Sequence, residues 1–154
     1  MSDSSSPYPL LSPYLAVREA SQAIEFYTAA FGACERFRLT DPNTGKVGHA
    51  EMIENRSLVM LADEYPGHNT APATLGGSPV TFSLMVDDVD AWVERARAAG
   101  ATIKVEPQNT FYGHRSAVIV DPFGHQWMVQ REVEKVSPTE MQRRWNDACA
   151  PKKA

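Results

Sequence analysis

The sequence predicts an α+β fold made of two tandem βαβββ modules followed by a C-terminal helix. Two observations carry this. The order strand, amphipathic helix, three strands occurs twice. The two copies also register on each other: Val17 and Val86 stand 69 residues apart, Gly32 and Gly100 stand 68 apart, and so do Met60 and Met128. A one-residue slip over that length is what duplication followed by loop editing produces.

The elements follow in chain order. Residues 1–9, rich in Ser and Pro, predict a loose tail, and residues 10–63 a first module. In that module LLSPYLAV alternates as a strand, and EASQAIEFYTAAFGA then sets Ala23, Ile24, Tyr27 and Phe31 at helical spacing before Gly32 ends the helix. Strands are expected at Cys34 to Leu39, Val47 to Ile53 and Leu58 to Ala62, with turns at DPNTG and ENR. Residues 64–79 are dense in turn formers without periodicity and predict a linker or mobile loop.

The second module spans 80–132. Val80 to Val86 is a strand, and Asp88 caps a helix whose buried stripe is Val89, Trp92, Ala96 and Ala99. Strands follow at Thr102 to Val105 and Arg115 to Val120, then the hairpin DPFGHQWMVQ. Alternation there turns Trp127 and Val129 to one side, and Gln126, Met128 and Gln130 to the other. The run SPTE, with Ser137 at N-cap, Pro138 at N1 and Glu140 at N3, starts a helix over 137–149, whose Met141 and Trp145 form an apolar pair.

Composition excludes several classes of function. A net charge of −4 gives no basic footprint for nucleic acid or anionic membrane. Cys34 and Cys149 lie far apart with no CxxC or Cys/His spacing, so free thiols in a reducing, cytoplasmic setting are expected. No apolar run approaches the length of a membrane span. Neither GxSxG nor a phosphate-binding Gly-rich loop occurs, and no nucleophile constellation is visible.

The segments PYLAVREASQAIEFYTAAFGA, VGHAEM, VMLADE, VTFSLMVDDVDAWVERARAAGA, FYGHRS and DPFGHQWMV resemble the vicinal oxygen chelate superfamily of glyoxalases, bleomycin-resistance proteins and dioxygenases. The terminal VSPTEMQRRW is similar to the tail of its PhnB-like branch. The resemblance implies a curved mixed sheet from each module around a cleft, often completed by a second subunit, with helices on the convex side. Leu15, Val17, Phe82, Leu84 and Val86 would then back onto the helices. Ser12, Tyr14, Ala16, Thr81, Ser83 and Met85 would face the cleft.

The resemblance also implies up to four metal ligands, which fall here on Ser12, Met60, Thr81 and Met128. Thioethers suit soft Cu(I), and hydroxyls do not replace imidazole or carboxylate, so no metal and no other cofactor is expected. Methionine adapts to irregular apolar guests and contacts aromatic rings favourably, though it also fills ordinary cores. Phe111, Tyr112 and Arg115 could clamp a planar ligand, unless Arg115 pairs with an acid such as Asp121. His125 is expected to bond backbone, and His68 to be solvated.

The expected ligand contacts are therefore Tyr14, His49, Met60, Met85, Phe111, Tyr112, Arg115 and Met128, with no catalytic residue. The expected function is metal-independent sequestration of an apolar or aromatic small molecule, by a homodimer with no nucleic-acid or membrane partner. His49 and Glu51 share a strand face and leave an alternative open: an acid/base or metal-dependent lyase or isomerase of the glyoxalase type.

Overall fold

The computed structural model describes residues 8–54 and 56–151. The expected tail falls mostly outside these residues. The first module comprises β1 (Tyr14–Val17), α1 (Ala20–Phe31), β2 (Cys34–Thr40), β3 (Val47–Glu54) and β4 (Ser57–Asp63). A short α2 (Pro72–Leu75) follows. The second module comprises β5 (Thr81–Met85), α3 (Val89–Ala99), β6 (Thr102–Asn109), β7 (His114–Val120) and β8 (Gln126–Glu132), and α4 (Pro138–Cys149) ends the chain.

The duplication is plain in the pairing. One sheet has strand order β1-β4-β3-β2 and the other β5-β8-β7-β6, each with one parallel pair at the edge and antiparallel pairs elsewhere. This is the α+β architecture of the glyoxalase and bleomycin-resistance fold with an added C-terminal helix. The helices end at Gly32 and Gly100, both left-handed, as their sequence positions predict. Asp88 caps α3 by accepting from the Ala91 N–H, and Ser137 caps α4 by accepting from the Glu140 N–H.

Three local readings are corrected. The first strand begins only at Tyr14: the Pro13 carbonyl still accepts the Met60 N–H of β4 at 2.9 Å, but the paired residues start at Tyr14. β6 runs on through Pro107 to Asn109, with register irregularities that absorb the proline. The linker also holds a helical turn, α2, whose Pro72 packs over the β7–β8 turn: a Cβ on Gly124 would lie 2.7 Å from the Pro72 Cβ. Such a turn is too short to leave a periodic signal.

The core lies between the sheets. Leu15, Val17, Ala50, Met52 and Leu61 from the first sheet join Ala117, Ile119, Trp127 and Val129 from the second, around α1 and α3, which pack on each other. Phe82, Leu84 and Val86 are packed against this core. Within one chain it is therefore the helix-backed faces that meet. The opposite, open faces point away from that shared core.

One buried carboxylate joins the halves. Asp121, 3% exposed, accepts the Tyr27 hydroxyl of α1 at 2.6 Å and the Trp127 indole N–H at 2.9 Å on Oδ2, while Oδ1 accepts the backbone N–H groups of Phe123 and His125. Desolvation, followed by the neighbouring Asp121 charge, holds the Tyr27 hydroxyl well above its ordinary pKa, so Tyr27 is a permanent donor. The His125 ring adds a 2.9 Å contact to the Ala16 carbonyl on the edge of β1. Asp121→Ala is expected to lower unfolding free energy by about 3–5 kcal/mol and Tyr27→Phe by about 1.5–3 kcal/mol, read from urea denaturation midpoints. Equal, small shifts for both would show that the carboxylate is not the tie.

Candidate functional site

Strand register builds the site. On the first sheet Tyr14 is the partner of Met60, Met60 of Glu51, and Glu51 of Phe37, so one row crosses all four strands on the open face. His49, two residues before Glu51, shares that face. Met60 sits in the middle of the row, between Tyr14 and the carboxylate.

A hydrogen-bonded chain runs through these residues. The Tyr14 hydroxyl lies 2.8 Å from His49 Nδ1, and His49 Nε2 lies 3.3 Å from Glu51 Oε1. Glu51 Oε2 accepts from Arg36 at 3.1 Å. Glu51 is only 3% exposed, which it tolerates because both oxygens are engaged. Partial burial raises the Tyr14 hydroxyl above its ordinary pKa. Arg36 was not foreseen from sequence. It falls at a register shift between Glu35 and Phe37, where the extra residue of the bulge re-aims its side chain, and no sequence pattern marks that position.

The second sheet presents a different open face. Ser83 pairs with Met128 and Met128 with Val118, the positions that correspond to the row described above. Around them Gln126 donates to Thr81 and accepts from Lys104, and Gln130 donates to Ser83. Met85 is half exposed at the edge. The chain thus holds Met60 on one open face and Met85 and Met128 on the other, and does not by itself bring the three methionines together.

The loop residues have partners within the chain. Arg115 shares the strand parity of the buried Ala117 and Ile119, so it lies on the helix side, where it pairs with Asp90 of α3 at 2.5 Å and 2.6 Å, not with Asp121. Phe111 packs on Trp145 of α4 at 5.5 Å between ring centroids, and Tyr112 packs on His114 at 5.3 Å. Arg144 of α4 donates to the Phe111 carbonyl and pairs with Glu134. Phe111 therefore anchors the C-terminal helix, and Tyr112 packs edge-on against Phe111. Met141 is partly buried, while Trp145 remains 53% exposed.

The positions that would hold a metal do not fit one. Ser12 lies before β1 with its hydroxyl buried and unpartnered among the described residues, Thr81 accepts from Gln126, and Met60 and Met128 offer only thioethers. Among the described residues no group of three or more His, Cys, Asp or Glu side chains is placed to hold an ion. Separately, an apolar cavity of about 240 Å³ lies between the modules on the helix side, lined by Tyr27, Phe31, Met52, Phe82, Leu84 and Trp127. It contains none of the expected ligand residues.

Comparison with known proteins then fixes the family. The model of the glyoxalase/bleomycin resistance protein/dioxygenase superfamily matches residues 10–129. The chain belongs to this superfamily. Among members with related sequences, the uncharacterized protein Rv0887c of Mycobacterium tuberculosis is 44% identical over 138 residues, covering 87% of this chain and 81% of that protein. The crystal structure of TioX from Micromonospora superposes with a TM-score of 0.64 at 25% identity, covering 81% of this chain and 99% of TioX. The fosfomycin resistance protein FosX of Listeria monocytogenes shares the glyoxalase-superfamily fold, with a TM-score of 0.64 at 15% identity over 86% of this chain and 97% of FosX. No helix among the described residues is long and apolar enough to cross a membrane.

Within α4, Glu140 is paired with Arg143 three residues on and Arg144 four residues on, which makes the helix's own stability sensitive to acid. Hydrogen bonds from Arg143 and Arg144 hold the Glu140 carboxyl down to about 2, against an ordinary value of 4.5. A depressed carboxylate stabilises above its unfolded pKa and loses that contribution as pH falls toward its folded one. The intrahelical Glu140–Arg143 and Glu140–Arg144 pairs are therefore expected to weaken as pH falls from about 4.5 toward 2, with a modest loss of α4 stability because they are exposed. The emission difference between the parent and Trp145→Phe reports the change. Glu140→Gln should shrink that pH step to the part carried by the Glu134–Arg144 pair, and an unchanged step would disprove the assignment.

Proposed function

We propose that this glyoxalase-superfamily protein binds an apolar, aromatic small molecule against its open sheet faces and holds it without chemical conversion. The observation that carries the reading is the open face of the first sheet. Tyr14, Phe37, Leu39 and Ile53 are 38–60% exposed there around Met60, in a chain whose polar residues could have covered them. Contiguous exposed apolar surface of this kind marks a binding site, and methionine beside aromatic rings suits a polarisable, planar guest. The four positions where metal-using relatives carry ligands offer hydroxyls and thioethers, which supply no Lewis acid.

A second copy completes the site in this proposal. Because the open faces of one chain look away from their common core, a cleft walled on both sides needs the first sheet of one copy to lie opposite the second sheet of another. That arrangement brings Met60 toward the partner's Met85 and Met128. Its ligand meets an aromatic wall on one side and the hydrogen-bonded glutamines on the other. A net charge of −4 leaves nucleic acid without a footprint.

Thermal unfolding in the presence of planar aromatic compounds tests the reading: a ligand at 100 times its Kd adds about 2.7 kcal/mol of stability. Met60→Glu is expected to abolish the shift, whereas Met52→Trp, which intrudes on the cavity between the modules, should leave it intact. The reverse pattern would move the site to that cavity. Sedimentation should show a dimer, and a strict monomer that still binds would remove the paired-copy arrangement. After dialysis against Zn²⁺, Ni²⁺ or Mn²⁺ no stoichiometric ion should be retained, and uptake abolished by His49→Ala would favour the metal-dependent enzyme instead.

A further inference from the structure

The chain of hydrogen bonds on the first sheet has a polarity. Glu51 faces the Arg36 guanidinium, so its carboxylate is an acceptor only. His49 Nε2, 3.3 Å from Glu51 Oε1, must then carry the ring proton, since a lone pair there would oppose a carboxylate oxygen. In the neutral imidazole this leaves the lone pair on Nδ1, 2.8 Å from the Tyr14 oxygen. The single proton of Tyr14 is directed at it. The other neighbour of that hydroxyl, the Gly48 carbonyl at 3.5 Å, is also an acceptor and competes for the same proton. What Tyr14, half exposed, offers outward is its oxygen lone pairs.

We propose that Arg36, Glu51 and His49 orient the Tyr14 hydroxyl so that it accepts a hydrogen bond, and that the ligand is an aromatic alcohol or aromatic N–H compound. The inference deepens the reading of the open face as a ligand site and rests on it. The surroundings match such a ligand. The Tyr14 and Phe37 rings lie 5.4 Å and 5.7 Å from the His49 ring, and Met60 is in register beside both Tyr14 and Glu51. An aryl plane resting on these groups brings its own donor against the phenol oxygen. Tyr14 touches the ligand. Arg36, Glu51 and His49 are positioning residues that act through it.

A matched pair of probes, naphthol and its methyl ether, tests this by fluorescence titration of the full-length protein. The two differ by one donor. Naphthol should bind about tenfold more tightly, the ratio a single well-made hydrogen bond supports. Tyr14→Phe should bring naphthol down to the level of the ether and leave the ether within about twofold. Glu51→Gln is the variant that a merely structural role would not explain. Arg36 draws the amide oxygen, the amide N–H₂ then faces Nε2, the ring proton moves to Nδ1, and the Tyr14 proton, turned away from His49, is offered to the ligand in competition with the Gly48 carbonyl at 3.5 Å. The preference for naphthol should disappear while both probes still bind, because both oxygens can accept. Where Glu51→Gln fails to fold, Tyr14→Phe still decides, since that side chain is half exposed. Equal binding of the two probes by the parent, or a preference that survives Tyr14→Phe, overturns the inference and leaves the ligand site standing. Binding of neither probe overturns the site itself.

Discussion

The joint between the two modules depends on one buried carboxylate, Asp121. Asp121 receives four hydrogen bonds, from Tyr27 in the first module, from Trp127 in the second, and from two backbone N–H groups of its own turn. A carboxylate at 3% exposure is costly to desolvate, and it is retained only where its acceptor capacity is filled. Here that requirement couples three things that could otherwise vary independently: the turn into β8, the seat of α1, and the indole at the centre of the shared core. The two modules consequently meet helix to helix, and their other faces are left open. The position of the candidate site follows from that choice of contact.

Those open faces show how a duplicated scaffold diverges. The equivalent rows are Tyr14, Met60, Glu51 and Phe37 in the first module, and Ser83, Met128 and Val118 in the second. The methionine is common to both. Around it the first module has gathered a buried acid, an imidazole and two rings, whereas the second has hydroxyls and amides bonded to each other. A symmetric fold thus presents two chemically unlike walls. That chemical difference between the walls is not visible from the scaffold alone.

Capping shows the same division between local and distant causes. α3 and α4 are capped by their own Asp88 and Ser137, which the sequence displays. No side chain at the entry to α1 caps it, and Glu19 there is left-handed at φ 61°. Its Ala20 N–H is satisfied instead by Asp63 of β4, 43 residues on, whose other oxygen accepts the Val47 N–H of β3. Asp63 therefore sets the helix onto its sheet.

The sequence by itself determined the elements and their repetition, because helix periodicity, strand alternation, glycine stops and local caps are encoded within a few residues of where they act. It also determined which side chains share a strand face, and so put His49 with Glu51, and Met128 opposite Trp127. Only the tertiary structure decided what those faces meet. Strand register placed Tyr14 and Met60 in one row with Glu51, a bulge brought in Arg36, and ladder parity turned Arg115 to the helix side while Phe111 went to Trp145. Each of these depends on which strand lies beside which and by how many residues it is shifted. A single step of register exchanges every inward and outward side chain, and only contacts far apart in the chain fix it.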